Sequence, residues 1–429
     1  MSRPSRLFAP LLLLFLAACS TPPVVVAPSA AAPHPLLLIS LDGVHPSFLG
    51  RGDTPNLDRL AREGAHAEWM NPSYPSLTFP NHYTLVTGLR PDHHGIVHNT
   101  MRDAGLGRFW LSNRDAVGDG RWWGGEPVWV GAEKAGLPTA TLSWPGSEAA
   151  IGGVRPTRWS LFDAERPIAE RVDTVAAWLA EPVATRPRLA TLYFEHVDGA
   201  GHAHGPDSAH MRQALREVDA GIGELLDRLE RAGTLDSIDI VVVSDHGMAE
   251  VPEGQVIAIE DMVDPALVEP VSFGQVVGFD PRQGRGHEAE AALLGRHQRY
   301  QCWRRQELPA RWHYGTHPRI PAIVCQMDKG WDAVSRKSLA HRAAGTRGSH
   351  GYDPAEPAMR AIFIARGPSF RTGVTLPAFD NVDVYPLLAR LLGIPAAPND
   401  GNPQTLLPLL RPADAAGLSA RPCTPGRCR

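Results

Sequence analysis

The chain has 429 residues, with 42 basic and 46 acidic side chains for a formal net charge of −4, and 43% of its residues are hydrophobic. That length and apolar content support a large buried core and exclude an intrinsically disordered chain, while the lack of a basic excess excludes a surface built for nucleic-acid polymers. Glycine and proline are abundant at 41 and 40 residues without a collagen period, and eighteen histidines stand out as an unexplained count.

At the start of the chain, Arg3 and Arg6 precede an apolar run, Leu7 to Ala18, interrupted only by Pro10. A basic segment followed by an apolar stretch too short to span a bilayer reads as a signal peptide. Leu16-Ala17-Ala18-Cys19 resembles the lipobox of bacterial lipoproteins, so residues 1–18 are expected to be removed and Cys19 lipidated. Residues 19–35 are rich in proline and alanine and read as a tether. The expectation is an exported, periplasmic protein that meets the membrane through its N-terminal lipid anchor only. Cys302, Cys325, Cys423 and Cys428 remain, an even number that suits an oxidising compartment. The sequence-local pairings 302–325 and 423–428 are favoured among the three possible.

Further along, Leu36–Leu41 reads as a buried strand ending at Asp42-Gly43. Thr78 reads as the N-cap of a short helix that stops at Gly88, with Pro80 tolerated in its first turn. A hydroxyl there faces the positive end of a helix, where a phosphoryl group is favoured. Leu189 to Phe194 is a second strand and leads into His196-Val197-Asp198. Met211, Leu215, Val218, Ile222, Leu225 and Leu229 then follow at spacings of 4, 3, 4, 3 and 4, one stripe of a helix. Ile238 to Val243 is a third strand, ending at Ser244-Asp245-His246-Gly247.

This alternation predicts an α/β fold with a mainly parallel sheet flanked by helices, in a domain expected over 36–410. Residues 255–345 are less regular and richer in Arg and Trp, and read as an inserted smaller subdomain. Residues 411–429 read as a C-terminal tail.

Three strands end in acid or histidine, and ligands of open α/β sheets sit beyond such ends. Asp198 and His202, four apart in a glycine-rich loop, can fold onto one cation. Asp245-His246 and Asp42 add further donors, and His350 lies in a similar loop, Gly345 to Gly351. Mixed Asp and His donors suit zinc or a similar divalent ion, and three of each suffice for two ions with one position left for a reacting group. The other fifteen histidines are read as ordinary surface or hydrogen-bonded residues.

Leu41-Asp42-Gly43, Thr78-Phe79-Pro80-Asn81-His82, Gly95-Ile96-Val97-His98-Asn99, Asp198 to Gly205, Ser244 to Met248 and Gly348 to Tyr352 occur in that order. The set resembles the nucleotide pyrophosphatase/phosphodiesterase family of the alkaline phosphatase superfamily, over about residues 36–410. The resemblance implies that Thr78 is a nucleophile forming a phospho-threonine intermediate, which water then hydrolyses. It implies two Zn2+ per chain, one held by Asp42, Thr78, Asp245 and His246 and the other by Asp198, His202 and His350. Asn99 matches a residue that donates to a non-bridging phosphate oxygen. Phe79 and Tyr193 match aromatics that sandwich a nucleobase, and Leu111 and Phe162 are placed in the same pocket.

No arginine dedicated to a monoester dianion is evident, so cleavage of nucleotide phosphodiester and pyrophosphate bonds, releasing nucleoside 5′-monophosphate, is the expected reaction. A lipid-headgroup phosphodiesterase or a phosphomonoesterase of the same superfamily is the alternative, followed by a non-catalytic, metal-containing surface lipoprotein. Cys423-Thr424-Pro425-Gly426-Arg427 resembles the sulfatase formylglycine motif, but it lies at the chain's end rather than after the first strand.

Overall fold

The structure is a computed structural model that describes residues 34–416. Leu36–Leu41 forms β1 and is buried throughout, as an unbroken apolar run requires of a strand covered on both faces. Seven more strands complete its sheet: β2 (Ala65–Ala67), β3 (Thr139–Leu142), β4 (Arg158–Ser160), β5 (Leu189–Phe194), β6 (Asp239–Val243), β7 (Phe363–Arg366) and β8 (Val374–Leu376). Their spatial order is β8-β2-β7-β6-β1-β5-β3-β4. Only β7 runs antiparallel to its neighbours, β6 and β2, so the sheet is mixed but mainly parallel, as expected. β1 lies between β5 and β6, with Ser40 opposite both Tyr193 and Val243. In that register the three strands end together, and whatever follows each of them emerges at one edge of the sheet.

Three helices bear on the site: α1 (Thr78–Thr87), α2 (His196–His204) and α3 (Ala209–Arg231). Alternation along β1 sends Leu37, Ile39 and Leu41 to one face of the sheet and Leu36 and Leu38 to the other. α3 covers the first face with the stripe Met211, Leu215, Val218, Ile222, Leu225 and Leu229, every member buried. Burial of each such side chain contributes roughly 1.5–3 kcal/mol before entropy is counted. Leu85 and Val86 of α1 belong to the cluster on the second face. α1 ends at Gly88 in the left-handed conformation, which relieves the last carbonyls of the helix without a Cβ penalty.

The stretch that lacked periodicity builds a second, antiparallel sheet. Its strands lie in the order Val268–Ser272, Val276–Pro281, Ile323–Met327, Tyr300–Arg304, Gly295–Arg296. Short strands broken by connections that carry no ladder leave little period to read. Cys302 and Cys325 face each other on adjacent strands and form a disulfide with Cα atoms 4.0 Å apart. Cys19, Cys423 and Cys428 lie outside the described residues. Among the described residues, no helix is long and apolar enough to cross a membrane.

Candidate active site

Asp42 follows β1, Asp245 and His246 follow β6, and Asp198 lies on α2 just beyond β5. The loop expected around Asp198 and His202 is instead the helix α2, which places these two residues, four apart, on one face. Of its glycines, Gly201 packs closely, a Cβ there lying 3.0 Å from Met248 Cε, while Gly199 faces open space. A Cβ on Gly348 would lie 2.5 Å from the Gly201 carbonyl, so the segment carrying His350 approaches the helix this closely only because residue 348 is glycine. That approach brings His350 alongside His202, with their Nε2 atoms 3.0 Å apart.

The tautomers of three imidazoles follow from their partners. His202, His246 and His350 each place Nδ1 against a backbone carbonyl, of Gly348, Gly247 and Ser76, at 3.0, 2.9 and 3.0 Å. A carbonyl only accepts, so Nδ1 carries the proton and Nε2 presents a lone pair. These lone pairs converge on carboxylates. His246 Nε2 is 2.9 Å from Asp245 and 3.5 Å from Asp42, and His350 Nε2 is 3.4 Å from Asp198. Three buried oxygens, Asp42 Oδ1, Asp198 Oδ1 and Asp245 Oδ2, have no hydrogen-bond partner. Acceptors facing acceptors in a buried site repel unless a cation lies among them, so this donor set fits bound metal. Three overlapping groups have mutually close ligand atoms: Asp198, His202 and His350; Asp42, Asp198 and His246; and Asp42, His82 and Asp245.

Electrostatics carry the same signature. Burial, then Asp245 and Asp198, hold the Asp42 carboxyl well above its ordinary range. Burial also pushes Asp245 up, but His246 and His82 outweigh it and keep its pKa well below the usual value. His246 loses affinity for a proton through burial and regains more from Asp245, for a net rise. His350 is driven well down by burial and by the neighbouring His246 and His202.

Thr78 is not the N-cap. Leu77 holds that position with extended backbone, and Thr78 is the first helical residue. Asn81 organises this turn by donating to the carbonyls of Pro75 and Leu77, both at 2.9 Å. Relieved of capping, the Thr78 hydroxyl lies 3.4 Å from His246 Nε2. Asn99 accepts the Phe79 N–H through Oδ1 at 3.0 Å, which leaves its amide NH2 as the free end.

An open cleft adjoins these groups, walled by Asp42, Thr78, Phe79, Leu111, Phe162, Tyr193 and Asp198 among others. Leu111 and Phe162 are exposed on it rather than part of the core. Tyr193 does more than line the wall, because its hydroxyl donates to Asp42 Oδ2 at 2.5 Å.

Sequence reasoning missed several groups. His82 donates from Nδ1 to the Thr78 carbonyl, approaches Asp245 at 3.3 Å, and accepts the Ser40 hydroxyl at Nε2. Its position four residues after Thr78 on a helix was the available signal. Arg171 is buried and grips Glu195 with both terminal nitrogens and the Tyr193 carbonyl with one, fixing the end of β5. Arg114 lies on the cleft wall, paired with the buried Glu148. Nothing in the chain order announces either of these two contacts.

Residues 36–353 match the family described as type I phosphodiesterase/nucleotide pyrophosphatase. The chain belongs to this family. A pyrophosphatase/phosphodiesterase of Schizosaccharomyces pombe, itself described as uncharacterized, is 37% identical over 392 residues, which is 88% of this chain and 80% of that protein. Ectonucleotide pyrophosphatase/phosphodiesterase family member 3 of Bos taurus is 34% identical over 422 residues, 94% of this chain but 47% of its own length. This member of the nucleotide pyrophosphatase/phosphodiesterases therefore spans about half of the bovine relative. Its fold is that of a solved relative, murine ectonucleotide pyrophosphatase/phosphodiesterase 5 in an inactive form with AMP. The TM-score is 0.83 at 32% identity, over 88% of this chain and 100% of that one.

Proposed function

We propose that this phosphodiesterase cleaves phosphodiester and pyrophosphate bonds of nucleotides through Thr78 and releases nucleoside 5′-monophosphate. The observation that carries the reading is an uncapped hydroxyl at the start of α1, set between converging Asp and His donors and an aromatic cleft. The murine relative was captured with AMP in a form inactivated by a threonine-to-alanine change, which agrees with a threonine nucleophile.

Thr78 Oγ1 attacks phosphorus, the bond to the leaving oxygen breaks, and water then hydrolyses the phospho-threonine. Asp42, Thr78, Asp245 and His246 would hold one ion, and Asp198, His202 and His350 a second, zinc being the metal we propose for such mixed donors. When bound, the ions lower the pKa of a coordinated hydroxyl and offset charge on the transferring group. Nδ1–H bonds to backbone carbonyls fix the three imidazoles so that Nε2 faces the site. Tyr193 orients Asp42, and the free amide of Asn99 donates to a non-bridging oxygen as charge develops there. Phe79, Leu111, Phe162 and the Tyr193 ring supply apolar faces for a base, each stacked contact contributing ~1–3 kcal/mol.

Among the described residues, Arg114 is the one arginine on this wall, and Glu148 offsets its charge. A second negative charge on a monoester is thus left without a dedicated cation. Purified protein should hydrolyse p-nitrophenyl thymidine 5′-monophosphate much faster than p-nitrophenyl phosphate, and the reverse order would overturn the diesterase reading. A panel of ATP, dinucleotides and glycerophosphocholine then separates nucleotide from lipid-headgroup substrates. Export with lipidation at Cys19 belongs to the same proposal, supported by the apolar run before Cys19 and by the Cys302–Cys325 bridge.

A further inference from the structure

We propose that the second sheet serves the reaction by holding the Asn99 loop in place, with Tyr314 and Arg319 as positioning residues that set Asn99 against the phosphoryl site. The inference rests on the role proposed above for Asn99. Residues Gly95–Asn99 form neither helix nor strand, so their backbone has no ladder to satisfy it and needs other partners. The carbonyls of Gly95 and Val97 find theirs on the connection that enters strand Ile323–Met327. The Tyr314 hydroxyl donates to the Val97 carbonyl at 3.0 Å. Arg319 Nη1 donates to the carbonyls of Gly95 at 2.8 Å and Trp122 at 2.6 Å, while its Nε holds Asp103 at 2.8 Å.

The tie is reciprocal. Asp92, just before the loop, accepts the backbone N–H groups of Gly315, Thr316 and His317 at 3.1, 2.9 and 2.8 Å. Gly95 has φ +79°, and a Cβ there would come within 2.9 Å of His317 Nε2 and 3.0 Å of Arg319 Nη1. The left-handed backbone favours glycine there, and its bare Cα leaves room for His317 and Arg319 to close on the loop. The Arg319 side chain is 9% exposed, so its charge is tolerated only with its N–H groups paired, which fixes the guanidinium in one orientation.

At its far end the loop is pinned by the Phe79 N–H on Asn99 Oδ1. The loop is therefore clamped between α1 and the connection that leads into the second sheet. Neither Tyr314 nor Arg319 borders the substrate cleft, so any effect on turnover passes through the loop. Donors aimed at developing charge work by preorganisation, and a displacement of about 1 Å costs on the order of 100-fold in rate.

The test is a double-mutant cycle on the full-length, metal-loaded protein, with p-nitrophenyl thymidine 5′-monophosphate as substrate. Asn99→Ala should lower kcat about 100-fold or more. Arg319→Gln should lower kcat roughly tenfold and Tyr314→Phe by less, each with KM held within about twofold and bound zinc unchanged. In the Asn99→Ala background neither change should slow turnover further, since coupled groups are not additive. Additive losses, or wild-type kcat in both single variants beside a slow Asn99→Ala, would overturn the inference alone. Wild-type turnover by Asn99→Ala would overturn the reading of Asn99 and this inference with it. Should Arg319→Gln fail to fold, Tyr314→Phe, which removes one hydroxyl and leaves the ring, completes the same cycle.

Discussion

Replacing Tyr193 with phenylalanine separates two roles carried by one side chain. The ring belongs to the cleft wall, with its centroid 6.1 Å from that of Phe162, while the hydroxyl donates to Asp42 at 2.5 Å. Phenylalanine keeps the ring and removes only the donor, from a position that is 5% exposed. A hydrogen bond to a charged group contributes roughly 1.5–3 kcal/mol, and at about 1.4 kcal/mol per decade this is roughly 10- to 100-fold in an equilibrium constant. Loss of a partner that orients a metal ligand costs about 10–100-fold in metal affinity, in agreement. The zinc concentration for half-maximal activity should therefore rise by about that factor. At saturating zinc, KM for p-nitrophenyl thymidine 5′-monophosphate should stay within about twofold, because the stacking surface is intact. The assay is hydrolysis in zinc buffers, paired with competition against a chromophoric chelator. A raised KM at saturating zinc with unaltered zinc affinity would refute the positioning role and return Tyr193 to base stacking alone.

Other perturbations test other parts. Thr78→Ala should abolish turnover while metal content, measured by mass spectrometry, is retained; an unchanged rate removes Thr78 as nucleophile. His94 and His98 are buried, with pKa values lowered to about 3 and about 4 from 6.5. As pH falls below 6.5 the unfolded chain takes up protons that the folded chain refuses, so stability is full above that value and is lost through a window reaching down to about 4 for His98 and about 3 for His94. The slope is about 1.4 kcal/mol per pH unit for each histidine, read from urea titrations, and His94→Gln should flatten it. Replacing both Cys302 and Cys325 by serine opens a loop of 23 residues' separation and should cost about 3 kcal/mol, seen as a lower Tm that no longer responds to reductant.

Much of the fold is legible in the chain order because its signals are local. The unbroken apolar runs of β1, β5 and β6 announce strands buried on both faces, and the stripe from Met211 to Leu229 announces α3. The acids and histidines that follow those strands were readable as ligands because a parallel sheet brings strand ends together. Where local signals mislead, long-range packing is the cause. Glycines around Asp198 and His202 read as a loop, yet they belong to a helix, and the close approach to it requires glycine at position 348. Thr78 reads as a cap, yet Leu77 holds the N-cap position and Thr78 is the first helical residue, its hydroxyl turned to His246.

By itself the sequence determined the fold class through local pattern, while residue type and the resemblance in motif order marked the candidate metal donors and the candidate hydroxyl of Thr78. Only the tertiary structure decided which partners orient those groups. Tyr193 on Asp42, His82 against Asp245, Arg171 at the end of β5 and Arg319 behind the Asn99 loop all act across separations that carry no periodic trace. A hydrogen bond depends on atoms within about 3 Å, and that proximity is created by the packing of the sheets, not by the order of the chain.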